Sequence, residues 1–283
     1  MLEKYLKNSA CLNSAEPQYE RVIDARLFFV ALLVSVFALS FDASAQAQVN
    51  ITPVEAPHDL AFVVPVIYVA PEAQPPATLV LQFAYPETTL EILEVVAAPA
   101  LEQNDKALDY ELDADKISMA VFGGTAPVSS GALLYLKMRV KPAAEVASVL
   151  PVLNSSSHGA DSAAEYATVL VTSGNVRVID TPEKHSADTE ADWKITLVEL
   201  MRVVQLYNAR EYHCDAAGQD GYETGSGDQS CTPHNSDYAD ADWQISFSEL
   251  LRMIQLYNAP FRMYHADSTS EDGFAPGPFG YTP

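Results

Sequence analysis

Apolar residues in the last third of the chain recur with a helical period, and they do so twice. Leu197, Leu200, Met201, Val204 and Tyr207 stand at i, i+3, i+4, i+7 and i+10, and Phe247, Leu250, Leu251, Ile254 and Tyr257 repeat the stripe. This spacing places the side chains on one helix face, and the simplest use of two such faces is for each helix to cover the other. The duplication extends beyond the stripe. Trp193 and Trp243, like Glu199 and Glu249, lie 50 positions apart, and both copies close on Gln-Leu-Tyr-Asn. A unit repeated in this way buries its apolar face against its twin. A helix this short is marginal alone in water, so neither copy is expected to fold by itself.

Upstream the pattern changes to short alternating or β-branched runs broken by Pro, Gly and Asn. Strands are predicted at 61–69, 78–83, 90–96, 117–122, 132–140, 166–171 and 175–179. Seven runs at this spacing, with no helical pattern between them, predict an all-β sandwich over residues 50–180. Residues 181–283 are expected to form a second, small and mainly α-helical module of two loop-helix copies.

The N-terminal 45 residues read differently. An uncharged apolar run from Leu27 to Phe41 follows Arg21 and Arg26 and precedes Ala43-Ser44-Ala45. That is the order of a secretory signal with a small-residue cleavage site, and the run falls short of the roughly 20 residues of a membrane span. A secreted or cell-surface protein is expected, with no membrane insertion after cleavage. Cys11 would leave with the signal, and the two remaining cysteines, Cys214 and Cys231, are expected to form a disulfide in an oxidising compartment. The 38 acidic against 16 basic residues, a net charge of −22, repel nucleic acid and anionic membrane and suit a protein that holds cations.

The repeated acids give those cations a place. With Glu199 as position 12 of a calcium loop, Asp188, Glu190 and Asp192 fall at positions 1, 3 and 5, and Lys194 at position 7, where a backbone carbonyl serves. In the second copy Asp240, Asp242 and Glu249 occupy positions 3, 5 and 12; position 1 is Tyr238, so Asp237 would have to reach in. Alternate oxygens and a bidentate Glu suit Ca²⁺. A metal-free reading stands beside this one. Thr196 with Glu199 and Ser246 with Glu249 are S/T-x-x-E capping boxes, and acids before a helix also favour its dipole. Trp at position 6 replaces the usual Gly, which costs about 1–2 kcal/mol if the turn is left-handed.

Each copy continues into a Gly- and Asp-rich tail: Tyr212-His213-Cys214-Asp215 leads to Asp220-Gly221, and Tyr264-His265-Ala266-Asp267 to Asp272-Gly273. His213 and His265 could ligate a transition metal, but Asp-Gly is a turn signal and no compact ligand spacing is present.

The acidic loop, Ile-Thr/Ser, Glu-Leu and short helix ending in Tyr-Asn resemble the duplicated calcium segments of dockerins, the modules that dock onto cohesins. The resemblance covers about residues 181–260 and implies calcium ligands at Asp188, Glu190, Asp192 and Glu199, and at Asp240, Asp242 and Glu249. The upstream domain resembles the cohesins, on Val64-Pro65-Val66, Phe83-Ala-Tyr85-Pro86, the 90–95 run, Gly131 to Val140 and Gly174 to Val178. That resemblance implies a jelly-roll-like sandwich and a non-catalytic protein-binding or carbohydrate-related module.

An enzyme needs a convergent nucleophile, base and orienting group, or an open metal site. The β domain holds only His58 and His158, and its carboxylates, among them Glu91, Glu94, Asp109, Glu111, Asp113 and Asp115, read as strand-edge and loop charges. The expected function is a secreted scaffolding or adhesion protein with an extracellular protein partner of the cohesin/dockerin type. The alternative is polysaccharide binding by the sandwich, with Tyr68, Tyr85, Tyr110, Tyr135 and Tyr166 as candidate stacking residues.

Overall fold

The computed structural model describes residues 46–281; the apolar run, the expected cleavage site and Cys11 lie outside them. The described residues form one compact unit, and among them no helix is long and apolar enough to cross a membrane.

The strands hydrogen-bond along one path that folds back on itself into two layers. One layer runs β5 (Leu90–Ala97), β8 (Gly131–Val140), β3 (Ala61–Val69), β1 (Ala47–Ile51); the other runs β9 (Val149–Ala160), β4 (Thr78–Ala84), β7 (Lys116–Phe122), β6 (Ala107–Asp113). β10 (Tyr166–Thr172) joins them, parallel to β1 and antiparallel to β9. β11 (Gly174–Ile179) makes a second seam, antiparallel to β9 and parallel to β2 (Val54–Pro57). Alternate residues of β4 and β7 point inward, with Leu79, Leu81, Phe83, Ile117, Met119 and Val121 all buried. This is the period-2 burial of a sheet with one wet face.

β3 and β8 depart from that alternation. Five consecutive residues, Phe62 to Val66, are buried in β3, and four, Leu133 to Leu136, in β8. Their outer faces are covered by the end of the chain. Val63 N donates to the Phe279 carbonyl at 2.9 Å, and Val63 and Tyr135 pack against Phe261 and Tyr281. Gly280, at φ +79°, lies so close to β3 that a Cβ there would come within 2.2 Å of the Val63 oxygen. Only glycine permits that approach.

The seven predicted strands are present, with ends moved by a residue. β1, β2, β6 and β9 were not anticipated. β9 carries Asn154-Ser-Ser-Ser157, which reads as a loop, and β6 is an exposed, acidic edge.

The C-terminal module holds α2 (Leu197–Ala209) and α3 (Phe247–Tyr257); the chain's other α-helix among the described residues is the short α1 (Pro99–Gln103). Each of the two module helices is followed by a hairpin: β12 (Tyr212–Cys214) with β13 (Tyr222–Thr224), and β14 (Tyr264–Ala266) with β15 (Phe274–Pro276). The expectation of a mainly helical module is therefore corrected to one helix and one hairpin per copy. A bidentate ion pair locks them together. Arg202 reaches Asp220 at 3.2 and 3.3 Å and the Tyr222 carbonyl at 2.6 Å. Arg252 does the same to Asp272 at 2.9 and 3.2 Å and to the Phe274 carbonyl.

The buried helix face also differs from the expected stripe. Leu200, Val203 and Leu206, and Leu250, Met253 and Leu256, face the core. Leu197, Met201, Phe247 and Leu251 do not: they are 42–62% exposed. The apolar arc is wider than the contact with the twin, so its other edge faces solvent.

Candidate functional site

The two acidic loops form one pseudo-symmetric site in which each copy completes the other. Asp188 is fully buried; its Oδ1 accepts from Asp192 N at 3.2 Å, and its Oδ2 from Trp193 N at 2.9 Å and the Tyr264 hydroxyl at 2.8 Å. Asp237 takes the same place in the second loop, accepting from Asp242 N at 3.1 Å, Trp243 N at 2.8 Å and the Tyr212 hydroxyl at 2.7 Å. Asp237, one position before the expected start of the second loop, thus stands where Asp188 does in the first. Tyr264 N also donates to the Trp193 carbonyl, and Tyr212 N to the Trp243 carbonyl, each at 3.1 Å. Thus the hairpin of one copy seals the loop of the other.

Both tryptophans adopt the left-handed turn, at φ 60° and 64°, as do Ala191 and Ala241. The strain expected at position 6 is present. It is held by the Asp–amide bonds and by ring packing of Trp193 on Tyr264 at 5.2 Å and of Trp243 on Tyr212 at 5.2 Å.

Glu199 and Glu249, both buried, tie loop to helix. Glu199 accepts from Thr189 N and Thr196 N, both at 2.8 Å, and Glu249 from Ala239 N at 3.0 Å and Ser246 N at 2.7 Å. Both capping boxes are formed. The other candidate ligands lie further out. Glu190, Asp240 and Asp242 are exposed, and Asp192 pairs with the Lys194 ammonium at 2.9 Å. In the second loop Asp240, Asp242, Gln244, Ser246 and Glu249, which are positions 3, 5, 7, 9 and 12, line one cavity of about 150 Å³. As the side chains stand, no three or more His, Cys, Asp or Glu groups among the described residues are gathered to hold a metal ion. An ion of six to eight oxygens would fit only if the acids turned inward and Glu249 released its amides.

The sequence reading missed the centre of this site. His185 and His234 are buried, face each other at 5.6 Å between ring centroids, and pack on Phe274 and Tyr222. Their backbone amides donate to the Tyr264 and Tyr212 hydroxyls at 3.0 Å. Each Nδ1 accepts a backbone N–H, from Ala187 and Ser236, so the neutral ring carries its proton on Nε2, which meets no hydrogen-bond partner among the described residues. Burial pushes His234 down to about 4 and holds His185 well below the usual histidine range. Burial, then the neighbouring carboxylate, pushes both Tyr264 and Tyr212 up. Asp237 is raised by the same burial. The available signal was His-x-x-Asp, at 185–188 and again at 234–237.

The remaining candidates are dispersed. His213 and His265 each meet a backbone carbonyl through Nδ1, at 2.8 and 2.7 Å, in separate hairpins. Cys214 and Cys231 are joined, with Cα atoms 6.0 Å apart, in the first copy's tail. Glu91 and Glu94 pair across the sheet with Arg139 and Lys137 at 3.8 and 3.5 Å. Of the tyrosines, Tyr68 is buried and pushed up to about 12 by that burial, while Tyr166 is 72% exposed and stacks on His158.

No protein-family profile and no curated protein matches the chain. Solved structures similar to it include cohesins. A non-cellulosomal cohesin of the hyperthermophilic archaeon Archaeoglobus fulgidus is 20% identical, with a TM-score of 0.42, over 48% of this chain and 93% of that one. A cohesin from a type I cohesin–dockerin complex of Clostridium thermocellum is 18% identical, with a TM-score of 0.43, over 47% and 99%. The cohesin module of a family 33 glycoside hydrolase from Clostridium perfringens is 9% identical, with a TM-score of 0.41, over 48% and 96%.

Proposed function

We infer that this is a non-catalytic scaffolding or adhesion protein acting outside the cell, with a protein-binding sandwich and a docking module in its C-terminal repeats. One observation carries the reading. Leu197, Val198 and Met201 at the start of α2, and Phe247 and Leu251 at the start of α3, are 42–67% exposed although both helices have a core to pack against. Leu197 and Phe247, and Met201 and Leu251, are equivalent positions of the two copies, and large apolar side chains exposed together in this way are the mark of a protein partner. The partner class expected is of the cohesin/dockerin type. Met201→Asp with Phe247→Asp should leave the melting temperature unchanged and abolish capture of that partner from the secreted fraction. Capture that survives the double substitution would move the function to the sandwich. Export itself predicts a mature N-terminus at Gln46, read by sequencing the secreted protein.

Calcium is proposed as the stabilising ion of the loops, supported by the cavity at ligand positions 3, 5, 7, 9 and 12 of the second copy. At a free concentration 100 times the dissociation constant, one site adds about 2.7 kcal/mol to stability. Equal melting temperatures in calcium and in chelator would leave the capping boxes and the Asp–amide bonds as the whole explanation of the acids.

A further inference from the structure

The corner after the helix is one of the places where the two copies differ. Five positions separate Tyr207 from Tyr212, but seven separate Tyr257 from Tyr264, and the longer corner supplies Pro260 and Phe261. Phe261 and Arg262 are consecutive left-handed residues, at φ 56° and 53°, neither of them glycine. Such strain persists only where the surroundings impose it.

The corner forms one wall of an open cavity of about 310 Å³ at the seam with the sandwich, which Val96, Pro99, Tyr135 and Tyr281 also line. This lies at the lower end of the size range of ligand pockets, about 300–1,000 Å³. Tyr135, Phe261 and Tyr281 come from β8, the corner and the chain's end, and their rings meet at 5.6, 5.9 and 5.9 Å. Tyr281 is seated by Gly277, where a Cβ would come within 2.6 Å of its ring. On a chain of net charge −22, this wall carries no charged side chain, and its only polar side-chain groups are two phenols.

We propose that this seam cavity binds a neutral pyranose ring of a polysaccharide. Ring C–H faces stack on aromatic rings, the phenols can exchange hydrogen bonds with sugar hydroxyls, and the lack of a cationic side chain on a chain of net charge −22 selects against uronic acids. The site is independent of the exposed helix face on which the docking reading rests, so either can fail alone.

The test is isothermal titration of the whole exported chain with cellohexaose, xylohexaose and mannohexaose. At least one should bind with a dissociation constant of about a millimolar or tighter. Phe261→Ala should weaken that binding about tenfold, and Tyr281→Phe, which keeps the packing and removes one hydroxyl, about threefold. Leu170→Ala, at an exposed position of β10 outside the cavity's lining, should change nothing. If Phe261→Ala does not fold, the Tyr281→Phe result decides. Absence of binding by all three sugars, binding indifferent to both substitutions, or binding of a proline-rich peptide in place of the sugars would each overturn the proposal.

Discussion

At the scale of single residues, the phenols of Tyr212 and Tyr264 do the most. Each hydroxyl donates to a buried aspartate and accepts from a histidine amide of the other copy. Tyr264→Phe should therefore cost about 1–3 kcal/mol, the penalty of leaving buried polar groups unpaired. Chemical denaturation should place Tyr212→Phe in the same range, and the exposed Tyr110→Phe near zero. His234 sets a pH dependence. Its folded pKa of about 4 lies below the ordinary 6.5, so the unfolded chain binds the proton first. The stability this group contributes is complete above about pH 6.5 and is lost as pH falls towards 4, with His185 acting in the same direction. Asp237, raised by burial, opposes this only where carboxylates titrate. Denaturant midpoints should thus fall between pH 7 and 5, and His234→Gln should flatten that slope.

At the scale of elements, the unit of folding is the pair of copies. Helix and hairpin within a copy are joined by the Arg–Asp pair, and the hairpin then crosses to the other loop. Asp272→Ala leaves Arg252 beside a buried carbonyl with no counter-ion and should cost about 3 kcal/mol, more than a surface ion pair is worth. The disulfide closes a 17-residue separation in the first tail only. Its reduction should remove about 3 kcal/mol by the chain-entropy relation. A peptide spanning 181–233 alone should show little helicity by circular dichroism, because it lacks Tyr264 and the opposing helix.

At the scale of the whole molecule, the end of the chain fastens the repeats to the sandwich. The backbone of Phe279 bridges to Phe62 and its ring packs on Trp193, so the first loop is joined to β3 through one residue. Gly280→Val would require left-handed valine and a clash with the Val63 oxygen. It should detach the strap, splitting one melting transition into two and exposing β3 and β8 to proteolysis. The same substitution would open the seam cavity and leave the exposed helix face intact.

The helical period, the capping residues and the β-branched runs are local properties, and they were legible because backbone propensity and side-chain periodicity act within a few residues. They yielded the sandwich class and both helices with their N-caps. The unbroken apolar stretches of β3 and β8 carried a further message, that both faces are covered, but not by what. Tertiary structure alone decided that, together with the exchange of tyrosines between loops, the facing histidines and the seam. Each brings together residues tens to more than a hundred positions apart, such as Asp188 with Tyr264 and Tyr135 with Tyr281. No periodicity encodes such a meeting. It also decided which edge of the helical stripe is buried, because the apolar arc was wider than the twin could cover.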